Sequence, residues 1–167
     1  MTTASVRIDR SLPGLPRAVL LGALAVGVLD ITDALVFFGL RGAAPIRVLQ
    51  SIAAGLLGRE AFQGGVGTAA LGLVLHFFIA FCIVVVFWLA SRALPALARR
   101  PFVYGPLYGV AVYLVMNQVV LPLSAVTPAT GPKPLPVLIN GVLIHILGVG
   151  LPAALAARAA LRQSGEA

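Results

Sequence analysis

The sequence predicts an all-α membrane protein, a bundle of four spanning helices with an additional amphipathic or re-entrant helix on the outer face between the first two spans. Three observations carry this prediction. The chain is 60% apolar and 10% charged, with a mean hydropathy of +1.04, whereas soluble domains run near about 45–50% apolar and about 25% charged. Four windows, residues 18–40, 67–90, 102–124 and 135–157, reach the roughly 20 apolar residues needed to cross a hydrocarbon core. The basic residues fall between these windows and do so unevenly. A chain of 167 residues then accommodates one integral membrane domain over its full length.

The first window is too long for the apolar part of a signal peptide, and it carries the unusual segment LDITD, with Asp30 and Asp33 in the middle of an otherwise lipophilic run. The connection between spans 1 and 2, RGAAPIRVLQSIAAGLLGREAFQGGVGT, holds the extra helix over about residues 45–58. Pro45 suits a helix start, and Ile46, Leu49, Ala53 and Leu56 recur at helical spacing, with Arg47, Gln50 and Ser51 elsewhere on the wheel. That pattern predicts an interfacial or re-entrant helix on the outer face. The glycines of GGVGT form either a hinge or a row of backbone N–H groups open to an anion at the start of span 2. Spans 3 and 4 are joined by the proline-stiffened TPATGPKPLP, which makes them antiparallel neighbours.

Charge orients the bundle. Eight basic residues (Arg7, Arg10, Arg17, Arg92, Arg99, Arg100, Arg158, Arg162) fall on one side and four (Arg41, Arg47, Arg59, Lys133) on the other. The positive-inside rule places both termini in the cytoplasm. The net charge of +7 is spread between apolar runs and forms no dense basic segment, so the expected partner is the lipid bilayer and not nucleic acid. Cys82 stands alone, which excludes an intrachain disulfide.

With direction set, a rise of about 1.5 Å per residue gives approximate depths. Asp30 and Asp33 of span 1, His76 of span 2, Asn117 and Gln118 of span 3, and Asn140 and His145 of span 4 all fall within about 1–9 Å outside the midplane. Each polar group also lies on or beside a stripe of small residues that favours close helix approach: Ala23/Gly27/Asp30/Ala34, Ala69/Gly72/His76/Ala80, Gly105/Gly109/Tyr113/Asn117 and Gly141/His145/Gly148. Magnitudes explain why they must face protein. The thirteen Leu, Ile, Val and Phe residues of span 1 favour insertion by roughly 4–8 kcal/mol, and two central aspartates cost roughly 5–7 kcal/mol. Span 1 is near balance alone, so its carboxyl groups need partners, water or protons.

Intramembrane ionisable groups are functional candidates by default. This layer predicts a polar site handling protons, cations or a small solute, with His76, His145, Asp30 and Asp33 as candidate ligands for a divalent metal. A second reading is a bis-histidine haem b between spans 2 and 4, with His76 and His145 as axial ligands and Gly72 and Gly148 beside a flat macrocycle. A third is a non-catalytic role, as an accessory subunit of a membrane complex or as a homo-oligomer. GxSxG, HExxH, CxxC, Walker and Rossmann patterns do not occur in the chain.

The runs LHFFIAFCIVVVFWLASRALP, GPLYGVAVYLVMNQVVLPLSAVTP and NGVLIHILGVGLPAALAAR carry a resemblance to a known group. A histidine early in span 2, a glycine-opened span 3 ending in a proline and a TP turn, and a histidine in span 4 resemble the YagU-like small bacterial inner-membrane proteins. The resemblance covers roughly residues 70–158 and carries over to His76, Pro122, Pro128 and His145. It implies a bacterial inner-membrane location and brings no assigned activity. The LDITD segment lies outside it.

Overall fold

Pro16 is extended and opens helix α1 (Arg17–Gly39), which ends at a turn through Gly42, whose positive φ of 89° suits glycine. Pro45 stands at the first turn of α2 (Pro45–Leu57), where its missing N–H costs nothing. Gly58 closes α2 with φ of 61° and donates its N–H to the Ala54 carbonyl. A 3-10 turn (Gly58–Phe62) leads to α3 (Gly65–Ala93), a short α4 (Ala96–Arg99), α5 (Pro101–Leu123) and α6 (Leu135–Gln163). The computed structural model describes residues 16–126 and 131–163, so Pro128 lies outside the described residues.

The described chain is all-helical, and α1, α3, α5 and α6 are each long and apolar enough to cross a membrane. That length and composition suit an integral, multi-pass membrane protein. The four spans lie within a few residues of the predicted windows, except that α6 continues six residues past residue 157. Its extension, RAALRQ, consists of alanine and other strong helix formers.

Packing differs between the two ends of the bundle. At the end holding Arg17, Arg92, Arg99 and Arg158, α6 presents Ala153, Ala154, Ala156, Ala157 and Ala160 to its neighbours, and Val19, Val26, Val84, Phe87 and Trp88 close around them. Gly22 of α1 meets Ala156 directly. α5 and α6 touch backbone to backbone: a Cβ on Gly109 would fall on the His145 carbonyl, and one on Gly150 would fall on the Gly105 carbonyl. Toward the opposite end the helices separate.

Two irregularities mark that separated end. α5 contains a π segment, Met116–Val120, and α6 a second, His145–Gly150. Each ends two residues before a proline, Pro122 and Pro152 respectively. Proline has no N–H to give and crowds the carbonyl four residues back, so the turn before it widens.

α2 turns a surface of small and polar residues inward. Val48, Gln50, Ala53 and Ala54 are buried, with Gln50 only 2% exposed, while Leu56 is 63% exposed. The cause is a polar latch. Gln50 donates to the Gly65 carbonyl at 3.0 Å and to Thr68 Oγ1 at 3.3 Å, and Thr68 donates to the Ala61 carbonyl at 2.6 Å. Gly72 of α3 admits the Leu49 carbonyl where any side chain would collide. The glycines at the start of α3 thus receive α2, with Gly65 at φ of 56° making the turn.

The glycine contacts yield a direct test. Gly109→Ala and Gly150→Ala push a methyl group into backbone that cannot swing aside, and each is expected to destabilise the fold by about 1–3 kcal/mol in detergent-based unfolding. Gly67→Ala, with open space around it, is expected to be neutral or slightly stabilising, by up to about 1 kcal/mol. Equal stability of the Gly109→Ala and Gly67→Ala proteins would contradict the close crossing.

Candidate functional site

Where the four spans part, they enclose a cavity of about 580 Å3. Its lining includes Asp30 and Asp33 from α1, His76 from α3, Asn117 from α5, and Asn140 and His145 from α6. Six of the seven residues predicted from depth and face therefore share one space. Gln118 does not: it is exposed and absent from the lining. It sits one residue, about 100° of helical rotation, from Asn117, and depth alone cannot separate two adjacent residues.

Hydrogen bonds orient the layer. His76 Nε2 lies 2.8 Å from the Gly27 carbonyl oxygen. A carbonyl only accepts, so this nitrogen carries the proton and donates. His76 Nδ1 is then the ring atom facing Asp30, with Oδ2 4.0 Å away. With Nε2 protonated, the neutral ring turns the lone pair of Nδ1 toward that carboxyl group, at a distance longer than a direct hydrogen bond. His76 is 11% exposed and Asp30 27% by side chain, so the pair is sheltered yet open to the cavity.

His145 Nδ1 donates to the Gly141 carbonyl at 2.8 Å, and its ring meets Tyr113 edge-on with centroids 5.4 Å apart. Asp33 has a different kind of partner, because Asn140 Nδ2 donates to Asp33 Oδ2 at 2.7 Å and ties α1 to α6. Asn117 Nδ2 donates to the Tyr113 carbonyl at 2.7 Å, leaving Asn117 Oδ1 to accept from Lys133.

The cavity holds residues that depth and face did not select. Tyr113, Arg47, Ser51 and Lys133 also line it. Tyr113 was legible as a member of the Gly105/Gly109/Tyr113/Asn117 stripe. Arg47 and Lys133 lie in connecting segments and read as face charges; only the folding of α2 and the 3–4 connection over the cavity brings them to it. Arg47 is held by the Phe62 carbonyl at 2.7 Å and Gln50 Oε1 at 3.3 Å. Among the described residues neither aspartate has a Lys or Arg within ion-pair distance.

Two cofactor readings meet this geometry differently from expectation. Among the described residues no three His, Cys, Asp or Glu side chains converge as a metal site would require. The haem reading needed Gly72 and Gly148 to leave a flat slot. Gly72 is instead filled by the Leu49 carbonyl of α2, and Gly148 is covered by Ile144 and Leu29. Both glycines therefore lie against protein atoms. Comparison of the chain with family models, curated proteins and solved structures finds no match in any of the three.

The interhelical tie is measurable by itself. In a double-mutant cycle with Asp33→Ala and Asn140→Ala, the coupling energy is expected near about 0.6 kcal/mol and no more than about 1.7 kcal/mol, the range found for hydrogen bonds between membrane helices. A coupling of zero would show that the bond contributes nothing net to holding α1 against α6.

Proposed function

We propose that the chain is a bacterial inner-membrane protein with cytoplasmic termini whose bundle binds a small cationic solute in exchange for a proton. The observation that carries this reading is the Asp30–His76 pair on the cavity wall, in which Nε2 is committed to Gly27 and Nδ1 faces the carboxyl group. Such a pair holds one proton between two groups, and an arriving cation displaces it. Asp33 is assigned a different role, because its carboxyl oxygen is occupied by Asn140: it holds α1 against α6 and keeps the cavity in shape.

Size supports a molecule over a bare ion. The cavity's 580 Å3 falls within the range of about 300–1,000 Å3 typical of small-molecule sites, which combine apolar walls with a few converging polar groups. Ile31, Ile79, Ile83, Ile144, Phe37 and Val149 supply the apolar walls. In this reading α2 lies in the outer leaflet, its exposed Ile46, Leu56 and Leu57 against lipid and its polar Gln50 against protein, the arrangement a bilayer favours. The YagU-like resemblance supports the inner-membrane location.

Ethidium serves as a probe cation. Its binding to the purified protein is expected to release about one proton per site, detected by a pH dye in weak buffer, and to weaken as pH falls, because protons compete for the same carboxyl group. Asp30→Asn should abolish the proton release. Asp33→Asn, which keeps an oxygen for Asn140, should retain it. Proton release that survives Asp30→Asn, or that Asp33→Asn removes equally, would overturn this assignment.

A further inference from the structure

At the end of the bundle away from the cavity, α4 folds against the C-terminal extension of α6 and leaves a recess of about 300 Å3. Arg99, Arg158 and Arg162 line it, over a floor of Pro95, Ala98 and Leu161. Ala98 and Leu161 are buried, Arg158 is half-buried, and Arg99 and Arg162 are exposed. The carboxylates among the described residues, Asp30, Asp33 and Glu60, are all absent from this lining. Three cations thus converge on one small space with no described anion to balance them. Arg158 and Arg162 stand one turn apart on the same face of α6, a like-charge pairing that an isolated helix disfavours.

We infer that this recess binds the phosphate group of an anionic membrane lipid at the cytoplasmic face, an inference that shares with the proposed function only its membrane placement. Guanidinium forks match phosphate oxygens two at a time, and the lower hydration of guanidinium suits a site at the water–lipid boundary. Basic recesses between spanning helices at the cytoplasmic face are a recurrent headgroup site. The apolar surroundings select a lipid over free phosphate. Leu94 precedes the recess directly and Leu155 lies one turn before Arg158, and both expose their side chains. They offer a surface for the first methylenes of an acyl chain.

The extension of α6 past residue 157 makes the site. Without its last turn Arg162 would not be helical, and the recess would lack its third cation and the Leu161 floor. Charges that set orientation are needed only near the span end. These three converge on one space, which orientation does not require.

The test uses the full chain in non-ionic detergent, with unfolding followed by the fluorescence of Trp88, the single and buried tryptophan. The probes are dioleoyl phosphatidylglycerol, dioleoyl phosphatidylcholine and inorganic phosphate. Phosphatidylglycerol is expected to raise Tm by about 3 °C or more over phosphatidylcholine. Its apparent affinity should fall about tenfold or more in Arg99→Gln/Arg158→Gln/Arg162→Gln. Arg100→Gln, on the same face and outside the recess, should behave as the wild type. The triple lysine variant keeps the charge and the topology but loses the forks, so a loss of a few-fold is expected; it carries the comparison if the glutamine variant does not fold. Three results would overturn the inference: no preference for phosphatidylglycerol over phosphatidylcholine, equal losses in Arg100→Gln and the triple variants, or stabilisation by inorganic phosphate as large as that by the lipid.

Discussion

The backbone contact between α5 and α6 is the constraint on which the rest of the bundle depends. At Gly109 and Gly150 each helix presses against a carbonyl of the other, with no room for a side chain. Close contact there brings the alanine face of α6 against α1 and α3 at the arginine end. Helices that cross this tightly at one level must diverge beyond it. Divergence toward the other end opens the space that Asp30, His76, Asn117, Asn140 and His145 share. The cavity is thus a geometric consequence of small residues placed in one half of the bundle and larger or polar ones in the other.

The prolines set the aim of that space. Pro122 and Pro152 each come after a widened turn, and the two widened turns carry Asn117 and His145. A regular helix would direct these side chains by the 3.6-residue period alone. An inserted π segment rotates the helix on its N-terminal side relative to the helix on its C-terminal side, so the packing face of α6 below Gly150 and the cavity face above it need not lie on one stripe.

α2 buries a face other than its most apolar one. In water, the stripe Ile46, Leu49 and Leu56 would be the buried one, and Gln50 would be solvated. Here Gln50 is buried in a hydrogen-bonded latch to Gly65 and Thr68, and Leu56 faces outward. Between helices in a membrane, small residues and satisfied polar groups provide the contacts, because leucine is as well accommodated by lipid as by protein. The latch also carries Arg47 and Ser51 to the cavity's edge, so the connection between spans 1 and 2 becomes part of the site.

The amino-acid sequence determined the four long apolar helices and the level along each at which its polar residues stand. Those follow from length, hydropathy and a fixed rise per residue, and Asp30, Asp33, His76, Asn117, Asn140 and His145 were legible on that basis. Only the tertiary structure decided which polar groups pair and which connecting residues join them. The bond from Asn140 to Asp33 spans 107 positions, and no local period encodes a contact between helices. Gln118 and Asn117 share a depth and differ only in rotation. Arg47 and Lys133 reach the cavity through folded connections, and the alanine-rich tail becomes an arginine-bearing wall because α4 packs against it. Depth is a one-dimensional property that a sequence carries residue by residue; rotation and the path of connections are set by packing between helices.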